Sequence, residues 1–170
     1  KTKFYIWNEF EGAIQLVVFD AIKRKAIKNE KSLIKYTFSM AFSQDGRTLI
    51  TGSNRQFLVI EMFSDYPNSQ IFASAPNRVS NFSLPSFCES FKVSPDGRFV
   101  FLMLNENNAR TFQTWDLSNI NAPIVLSSFH CGENEFQMAF SNDFNRVYLV
   151  GQGSLSILDI SDRSFPILKN

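Results

Sequence analysis

Short apolar runs separated by tight polar turns recur along this chain. Three segments share one pattern, in which an alternating run leads to a serine and then to a polar turn; these serines are Ser43, Ser94 and Ser141. Runs of four to eight residues rich in Val, Ile and Phe, broken by such turns, are typical of antiparallel strands in a meander. Asp-Gly pairs at 45–46 and 96–97 supply the glycine that a tight reversal with positive φ requires.

Each repeat continues with further apolar runs. A second run follows the turn, and a third run ends in an acidic residue. The acidic residues in this position are Asp20, Glu61, Asp116 and Asp159. The beginning of the chain fits the same template, entered at the second run. The fourth strand is predicted at residues 70–73 in one repeat and 124–129 in the next, with a further one near 33–36.

Four-stranded units that repeat about every 40 to 45 residues predict the blades of a β-propeller. The predicted fold is all-β, a single propeller or propeller fragment over residues 1–170, with about four four-stranded antiparallel blades at 1–37, 38–87, 88–134 and 135–170. One blade cannot bury both faces of its sheet, so neighbouring blades must stack on it. We expect these blades to be part of a larger propeller; a closed ring of four is the alternative.

Two groups of short motifs resemble known propeller repeats. The segment from Asp159 to Pro166, with the preceding Leu-Ser-Ile-Leu, resembles the LVIVD repeat. Ser94-Pro-Asp-Gly and Thr114-Trp-Asp resemble WD40-type blades, although the Gly-His pair usual in WD40 repeats is absent. The resemblance covers nearly the whole chain and implies a propeller. Because LVIVD-type repeats often occur in large surface polypeptides, a module of a surface-anchored protein is one alternative.

Composition and charge narrow the class of protein. The 170 residues are 44% hydrophobic and 19% charged, as expected of a globular domain. A net charge of +1 gives no global attraction to nucleic acid or to membranes, and the apolar runs are far shorter than the roughly 20 residues of a membrane span. We expect a soluble protein, with the cytoplasm favoured and no nucleic-acid partner. The start at Lys1, without an initiator methionine, is typical of a processed or partial chain.

The residues that carry chemistry are sparse. The soft metal ligands are Cys88, Cys131 and the single histidine, His130, without the paired spacings of a zinc site. We expect two unrelated cysteines, with a disulfide or a metal as alternatives. The serines before the turns are expected to bind backbone, and the Gly-Gln-Gly at 151–153 predicts a hairpin turn. The acidic residue after each third run is expected to order its own loop; a ring of them binding a cation is the alternative. No catalytic, metal or cofactor residue is predicted.

The function favoured by this pattern is a non-catalytic protein-interaction scaffold, because a propeller presents variable loops on a rigid frame. Its partners would be proteins, or the remaining blades of its own parent chain. Candidate contact residues lie at the ends of strands: Asn54, Arg55, Tyr66, Phe72, Glu106, Asn108, Arg110, and the basic Lys23, Arg24 and Lys25. The alternative function is a catalytic propeller, such as a metal-dependent lactonase or hydrolase.

Two long connections complete these predictions. The basic run from 23 to 35 is predicted to be a solvated connection between strands, with a binding patch for an acidic partner, RNA or a membrane surface as the alternative. Residues 65–86 contain more apolar side chains than a solvated loop requires. We expect that segment to pack over its own blade, with docking on a partner as the alternative.

Overall fold

A computed structural model describes residues 3–10, 13–20, 25–31, 39–43, 48–53, 56–61, 78–106, 109–131 and 135–169. These residues form fifteen β-strands. In chain order the strands are β1 (Lys3–Phe10), β2 (Ala13–Asp20), β3 (Lys25–Lys31), β4 (Ser39–Phe42), β5 (Thr48–Ser53), β6 (Gln56–Glu61), β7 (Arg78–Ser83), β8 (Phe87–Val93), β9 (Phe99–Glu106), β10 (Ala109–Asp116), β11 (Ile124–Cys131), β12 (Glu135–Phe140), β13 (Arg146–Gly151), β14 (Leu155–Asp159) and β15 (Ile167–Lys169).

The strands pair in chain order into four antiparallel sheets. The first sheet has three strands, β1–β3, and the others have four each: β4–β7, β8–β11 and β12–β15. Every pairing joins strands that are consecutive in sequence, as expected when short turns connect alternating apolar runs. The predicted all-β fold with four-stranded antiparallel units is therefore confirmed.

In the second sheet the strand paired with β6 is β7 (Arg78–Ser83), and in the first sheet the outer strand is β3 (Lys25–Lys31). The strands predicted at residues 70–73 and near 33–36 lie outside the described residues. The basic run is therefore a strand over Lys25–Lys31 and not a connection there. Both β3 and β7 are polar, so their own β-propensity is weak. In strand register, Arg78 of β7 pairs with Glu61 and Lys25 of β3 pairs with Asp20.

The inner strand β9 of the third sheet is buried on both faces. Along β9, Val100, Leu102 and Leu104 belong to the apolar cluster shared with the second sheet, whereas Phe101 and Met103 belong to the cluster shared with the fourth. Successive side chains of a strand point to opposite faces, so a nearly continuous apolar run is what a sheet between two sheets requires. β8 contacts β4 and β5 on one side and β12 on the other, so the first strands of these sheets lie next to one another.

The turns before the second strands of the third and fourth sheets are built in the same way. The Ser94 hydroxyl accepts a hydrogen bond from the Phe99 N–H at 2.8 Å, and the Ser141 hydroxyl accepts one from the Arg146 N–H at 3.0 Å. The predicted backbone role of these two serines is confirmed. These two hydrogen bonds also show that Arg146 is equivalent in position to Phe99 and not to Arg98. The two turns therefore share one backbone arrangement and differ in side chains.

Phe144 has a backbone conformation that normally favours glycine. Its φ is 55°, and in the equivalent position of the third sheet Gly97 has a φ of 74°. A bulky residue pays a steric penalty there. Its ring packs against Phe140 with centroids 5.1 Å apart and lies 6.3 Å from the ring of Phe101. Burial of the aromatic ring between the sheets offsets the strained backbone.

Replacing Gly153 with alanine is expected to lower the free energy of unfolding by about 1 kcal/mol. Gly153 lies in the turn between β13 and β14 with a φ of 73°, and an added Cβ would meet no atom within 4 Å. The cost is thus the left-handed backbone alone. Urea denaturation measures it, with Gln152→Ala at the exposed neighbouring position as the control. A loss as large in the control would contradict this assignment.

Candidate interaction surfaces

The end of the third sheet that contains residues 94–98 and 117–123, here called its turn end, is organised by Asp116. Its carboxylate accepts a hydrogen bond from the Ser118 N–H at 2.7 Å and pairs with the Arg98 guanidinium at 3.0 Å. The Leu117 N–H donates to the Arg98 carbonyl at 2.7 Å, which joins the loop to the turn. Burial opposes ionisation of Asp116, but the hydrogen bonds from Arg98 and Ser118 outweigh it and hold its pKa below the usual value.

The turn end of the fourth sheet, residues 141–145 and 160–166, repeats this arrangement. Asp159 accepts a hydrogen bond from the Ser161 N–H at 3.1 Å and pairs with Lys169 at 3.6 Å. The Ile160 N–H donates to the Asn145 carbonyl at 2.8 Å, as in the third sheet. The prediction that the acidic residue orders its own loop is therefore confirmed for Asp159 and for its equivalent in β10. Asp20 and Glu61 end β2 and β6 in the same sheet position, and their side chains lie outside the described residues.

Acid is expected to destabilise the protein through the carboxylates of the two turn ends. Hydrogen bonds from Ser161 lower the pKa of Asp159, and Ser141 does the same for Asp143. A group with a lowered folded pKa contributes stability above its unfolded pKa, near 4, and loses it as the pH falls through the folded value. The free energy of unfolding should therefore decrease as the pH is lowered below about 4.

Denaturant unfolding measured between neutral pH and the acid range tests this dependence. The variant Asp143→Asn should flatten the acid limb, because the titrating carboxyl is gone while its side-chain oxygen still accepts the turn hydrogen bonds. Stability that is unchanged through the acid range would contradict the assignment.

A polar cleft of about 400 Å³ opens on the fourth sheet beside its turn end. It is lined by Ser141, Asp143, Asn145, Arg146, Tyr148, Asp159 and Ser161. Most of these groups hold the turn: Asp143 accepts hydrogen bonds from the Ser141 hydroxyl and the Asn145 N–H. Among the residues that the structure describes, no group of three or more His, Cys, Asp or Glu side chains is placed to hold a metal ion.

In the third sheet, the position that corresponds to this cleft lies at the junction with the fourth sheet, and Arg163 fills it. Its guanidinium lies 5.6 Å from the ring centroids of Phe99 and Phe101 and donates to the Ile160 carbonyl. Burial lowers its pKa, and the carboxylate of Asp96 acts in the opposite direction. The loop between β14 and β15 therefore inserts a cation over the aromatic face of the neighbouring sheet.

Ile120 has the place of Arg163 in the third sheet, since each lies four residues after the acidic end of its third strand. It packs against the apolar cluster shared with the second sheet. The same loop position thus lies at the junction with the preceding sheet in both cases, as an apolar residue in one junction and a cation in the other.

The opposite end of the third sheet, here called its hairpin end, carries a second polar cluster. Glu89 pairs with Arg110 at 2.9 Å and accepts a further hydrogen bond from the Asn105 amide at 2.6 Å. The two ionic side chains are only 17% and 19% exposed. They fix β8, β9 and β10 to one another directly below the connection at 107–108.

The predicted contact residues divide between the two ends of their sheets. Asn54 and Arg55 join β5 to β6, and Asn108 joins β9 to β10, so these lie at hairpin ends. Glu106 ends β9, and Arg110 belongs to the Glu89 cluster. The remaining predicted residues belong to connections between third and fourth strands, at turn ends: Tyr66, Phe72, Lys23, Arg24 and Lys25, the last of which begins β3.

Several of these residues lie outside the described part of the chain. They are Lys23, Arg24, Asn54, Arg55, Tyr66, Phe72 and Asn108. Of Lys25 and Glu106 only the strand position is described. Their roles as contact residues stay predictions.

Two features of these surfaces were not predicted from the sequence: the Glu89 cluster and the inserted Arg163. A signal for the second was present, because Asp116 and Asp159 are each followed by a proline seven residues later. Comparing the two loops position by position shows that Ile120 and Arg163 occupy equivalent positions. The Glu89 cluster had no comparable signal, since its members are distant in sequence and join only through strand register.

Both cysteines are buried and neither forms a disulfide, as the sequence predicts for two unrelated cysteines. Cys88 belongs to the apolar cluster between the second and third sheets, and Cys131 belongs to the cluster between the third and fourth. They therefore lie on opposite faces of the third sheet and form no disulfide.

The Cys88 thiol is expected to resist alkylation in the folded protein. Burial raises its pKa to about 12, so almost no thiolate is present at neutral pH, and the thiolate is the nucleophile. Reaction with iodoacetamide, followed by mass spectrometry of the peptides, measures this with and without denaturant. Rapid native labelling of Cys88 would contradict the prediction.

Comparison with known proteins finds its matches among solved structures. No protein-family model and no curated protein matches the chain. A protein from Bacteroides uniformis, provisionally described as a 6-phosphogluconolactonase, is similar to it with a TM-score of 0.69 and 9% identity over 97% of this chain and 49% of its own. The β-propeller domain of Cps50 (Swd1) from Myceliophteria thermophila gives a TM-score of 0.62 and 10% identity over 95% of this chain and 53% of that one. Sqt1 from Chaetomium thermophilum gives 0.66 and 18% over 95% and 41%.

These likenesses define the class of protein by fold. The chain has the β-propeller fold, as its four-stranded meanders predicted. The finer likeness to the LVIVD repeat stays a prediction. The chain spans about half the length of the solved structures it matches. In the described part of the chain no helix has the length and apolar character needed to cross a bilayer.

Proposed function

We propose that this chain is a non-catalytic protein-interaction scaffold built on β-propeller sheets. The observation that carries the proposal is that the third and fourth sheets repeat one set of backbone and carboxylate hydrogen bonds at their turn ends, so that each sheet is a constant frame for the loops at its opposite, hairpin end. The Leu117 and Ile160 amides make the same bond in the two sheets, yet Arg98 in one is replaced by Asn145 in the other. A constant frame with variable loop residues suits recognition of a protein surface.

The polar groups of these loops support a binding role over a catalytic one. The Ser94 and Ser141 hydroxyls bind the turn backbone, and the carboxylates of Asp116 and Asp159 bind their own loops. The lowered pKa of Asp159 keeps this carboxyl group ionised at neutral pH. A general acid must instead be protonated at that pH, because it donates a proton.

The hairpin ends are the proposed contact surface. The Glu89–Arg110 pair and the bond from Asn105 brace three strands below the connection that carries Asn108. A rigid base lowers the entropy that a loop loses on binding. Asn54 and Arg55 hold the same topological place in the second sheet.

The test is affinity purification with the 170-residue chain as bait, followed by titration calorimetry with the partner recovered. The variant Arg55→Ala with Asn108→Ala should lose a stoichiometric partner. The matched control, Asn121→Ala with Ser164→Ala, alters exposed residues at turn ends and should keep it. A partner bound equally by both variants would contradict the hairpin-end surface, and the absence of any stoichiometric partner would contradict the scaffold role.

A catalytic propeller is the alternative function, and the polar cleft on the fourth sheet is the feature that favours it. Some of the structures similar to this chain are provisionally described as 6-phosphogluconolactonases. Incubation of the purified chain with 6-phosphogluconolactone tests this alternative. Hydrolysis above the spontaneous rate that Asp143→Asn abolishes would overturn the non-catalytic proposal.

A further inference from the structure

The outer strand of the third sheet, β11, has one side on which no described strand pairs. The order of the sheet is β11-β10-β9-β8, so β10 is the one neighbour of β11 among the strands that the structure describes. Residues 127–130 of β11 pair in unbroken register with residues 111–114. The side of residues 127–130 that points away from β10 is here called the outer edge. The main-chain groups along such an edge are a template for pairing with another extended chain.

The strand β11 lacks the charged side chains that the other outer strands carry. β3 contains four charged residues, β7 begins with Arg78, and β15 ends with Lys169. Charges of this kind are a common device by which edge strands oppose the addition of a further strand. The eight residues of β11 include no Asp, Glu, Lys or Arg. Among the outer strands described, β11 is therefore the one that charge does not protect.

Apolar side chains are exposed where β11 begins. Ile124 is 58% exposed and Val125 is 46% exposed, and as consecutive residues they point to opposite faces of the sheet. A bulge at Leu126 separates them from the regular part of the strand. Along that part, Ser128 and His130 are exposed on one face. A chain that pairs along the outer edge therefore meets polar side chains there and apolar ones at its end.

The junction between the third and fourth sheets has an apolar groove at its rim, here called the rim groove and bordered by Ile124 and Leu168. Ile124 pairs with Asp116, on the face of the third sheet that Phe112 shares, so it faces the fourth sheet. Leu168 pairs with Leu158, so it faces the third sheet, yet it is 47% exposed. Further propeller sheets would stack on the other face of the fourth sheet and leave this groove at the rim.

We propose that the outer edge of β11 binds an extended peptide segment of a partner protein, which adds a fifth strand to the third sheet and places apolar side chains in the rim groove. The main-chain groups of the edge select an extended chain, because a helix uses its main-chain groups internally. The uncharged strand selects apolar and uncharged polar side chains, because a charge placed opposite it would stay unpaired. This surface is separate from the hairpin ends, so the inference goes beyond the proposed function.

Selection from a random octapeptide display library, with the 170-residue chain as the target, tests the proposal. The enriched peptides should alternate apolar with uncharged polar residues. Ile124→Lys should raise the Kd of an enriched peptide, measured by fluorescence anisotropy, by about 10-fold or more. Leu155→Lys is the matched control, because it makes the same change at a residue that is 63% exposed in β14, away from the outer edge. It should leave the Kd unchanged.

N-methylation of the enriched peptide distinguishes strand addition from docking of side chains alone. In an added strand every second N–H group points to the neighbouring strand, so single N-methyl groups should abolish binding at alternate residues and be tolerated between them. If circular dichroism shows that Ile124→Lys does not fold, Val125→Lys replaces it, since Val125 is also exposed at the start of β11.

Four results would overturn the proposal. They are a library without enriched peptides, enriched peptides that require a charged residue, binding that the lysine in β11 leaves unchanged, and binding that tolerates N-methylation at every residue. Sedimentation equilibrium tests the other occupant of this edge. A wild-type dimer that Ile124→Lys dissociates would assign the edge to a second copy of the chain and would equally overturn the proposal.

Discussion

Replacing Phe101 with alanine is expected to lower the free energy of unfolding by about 4 kcal/mol. The side chain is 0% exposed and lies at the centre of the junction between the third and fourth sheets. Its ring centroid is 6.1 Å from that of Phe112 in its own sheet and 4.9 Å from that of Phe140 in the next. The surrounding strands are held by their ladders and cannot collapse into the space, so the cavity cost adds to the lost burial.

The effect should reach the neighbouring sheet as well. Arg163 lies over the ring of Phe101 at 5.6 Å, so alanine removes part of the surface that receives the inserted guanidinium. Urea denaturation followed by tryptophan fluorescence measures the loss. Phe165→Ala is the matched control, since Phe165 is 72% exposed and the same truncation there should cost less than about 0.5 kcal/mol. Similar losses in the two variants would contradict the assigned role of Phe101.

The inner strands of the sheets were predictable because their sequences carry local signals. β9 is a continuous apolar run after an Asp-Gly turn, and β14 ends in an acidic residue, as its equivalents do. Such signals depend only on residues close together in the chain. The hydrogen bonds of Ser94 and Asp116 were predictable for the same reason, since each joins groups that are at most five residues apart in the sequence.

The outer strands and the long-range clusters were less accessible to sequence reasoning. β3 and β7 contain charged and amide residues whose own propensity for a strand is weak, so their place is decided by the strand they pair with. Arg110 was predicted as a surface contact because residues 106–110 were placed in a loop at the end of a blade. Its partner Glu89 lies 21 residues away and reaches it only across two strand pairings.

Replacing Arg110 with methionine is expected to lower the free energy of unfolding by about 2 kcal/mol. The variant keeps most of the aliphatic stem and leaves the Glu89 carboxylate, 19% exposed, with the Asn105 amide but without its cation. A largely buried charge without its partner bears the full cost of its desolvation. Glu89→Leu added to the methionine variant removes that charge and should recover part of the loss.

Arg98→Met is the matched control, because it removes the same guanidinium from the other ion pair of the third sheet. The Arg98 side chain is 55% exposed, and its pair with Asp116 is screened by water, so the expected loss is much smaller than for Arg110→Met. Urea denaturation of both variants at neutral pH measures the difference. Since Arg110 braces the strands below the hairpin connection, its larger loss would show that the base of the proposed contact surface is held by a buried ion pair. Equal losses in the two variants would mean that the Glu89 cluster stabilises the sheet no more than an exposed salt bridge does.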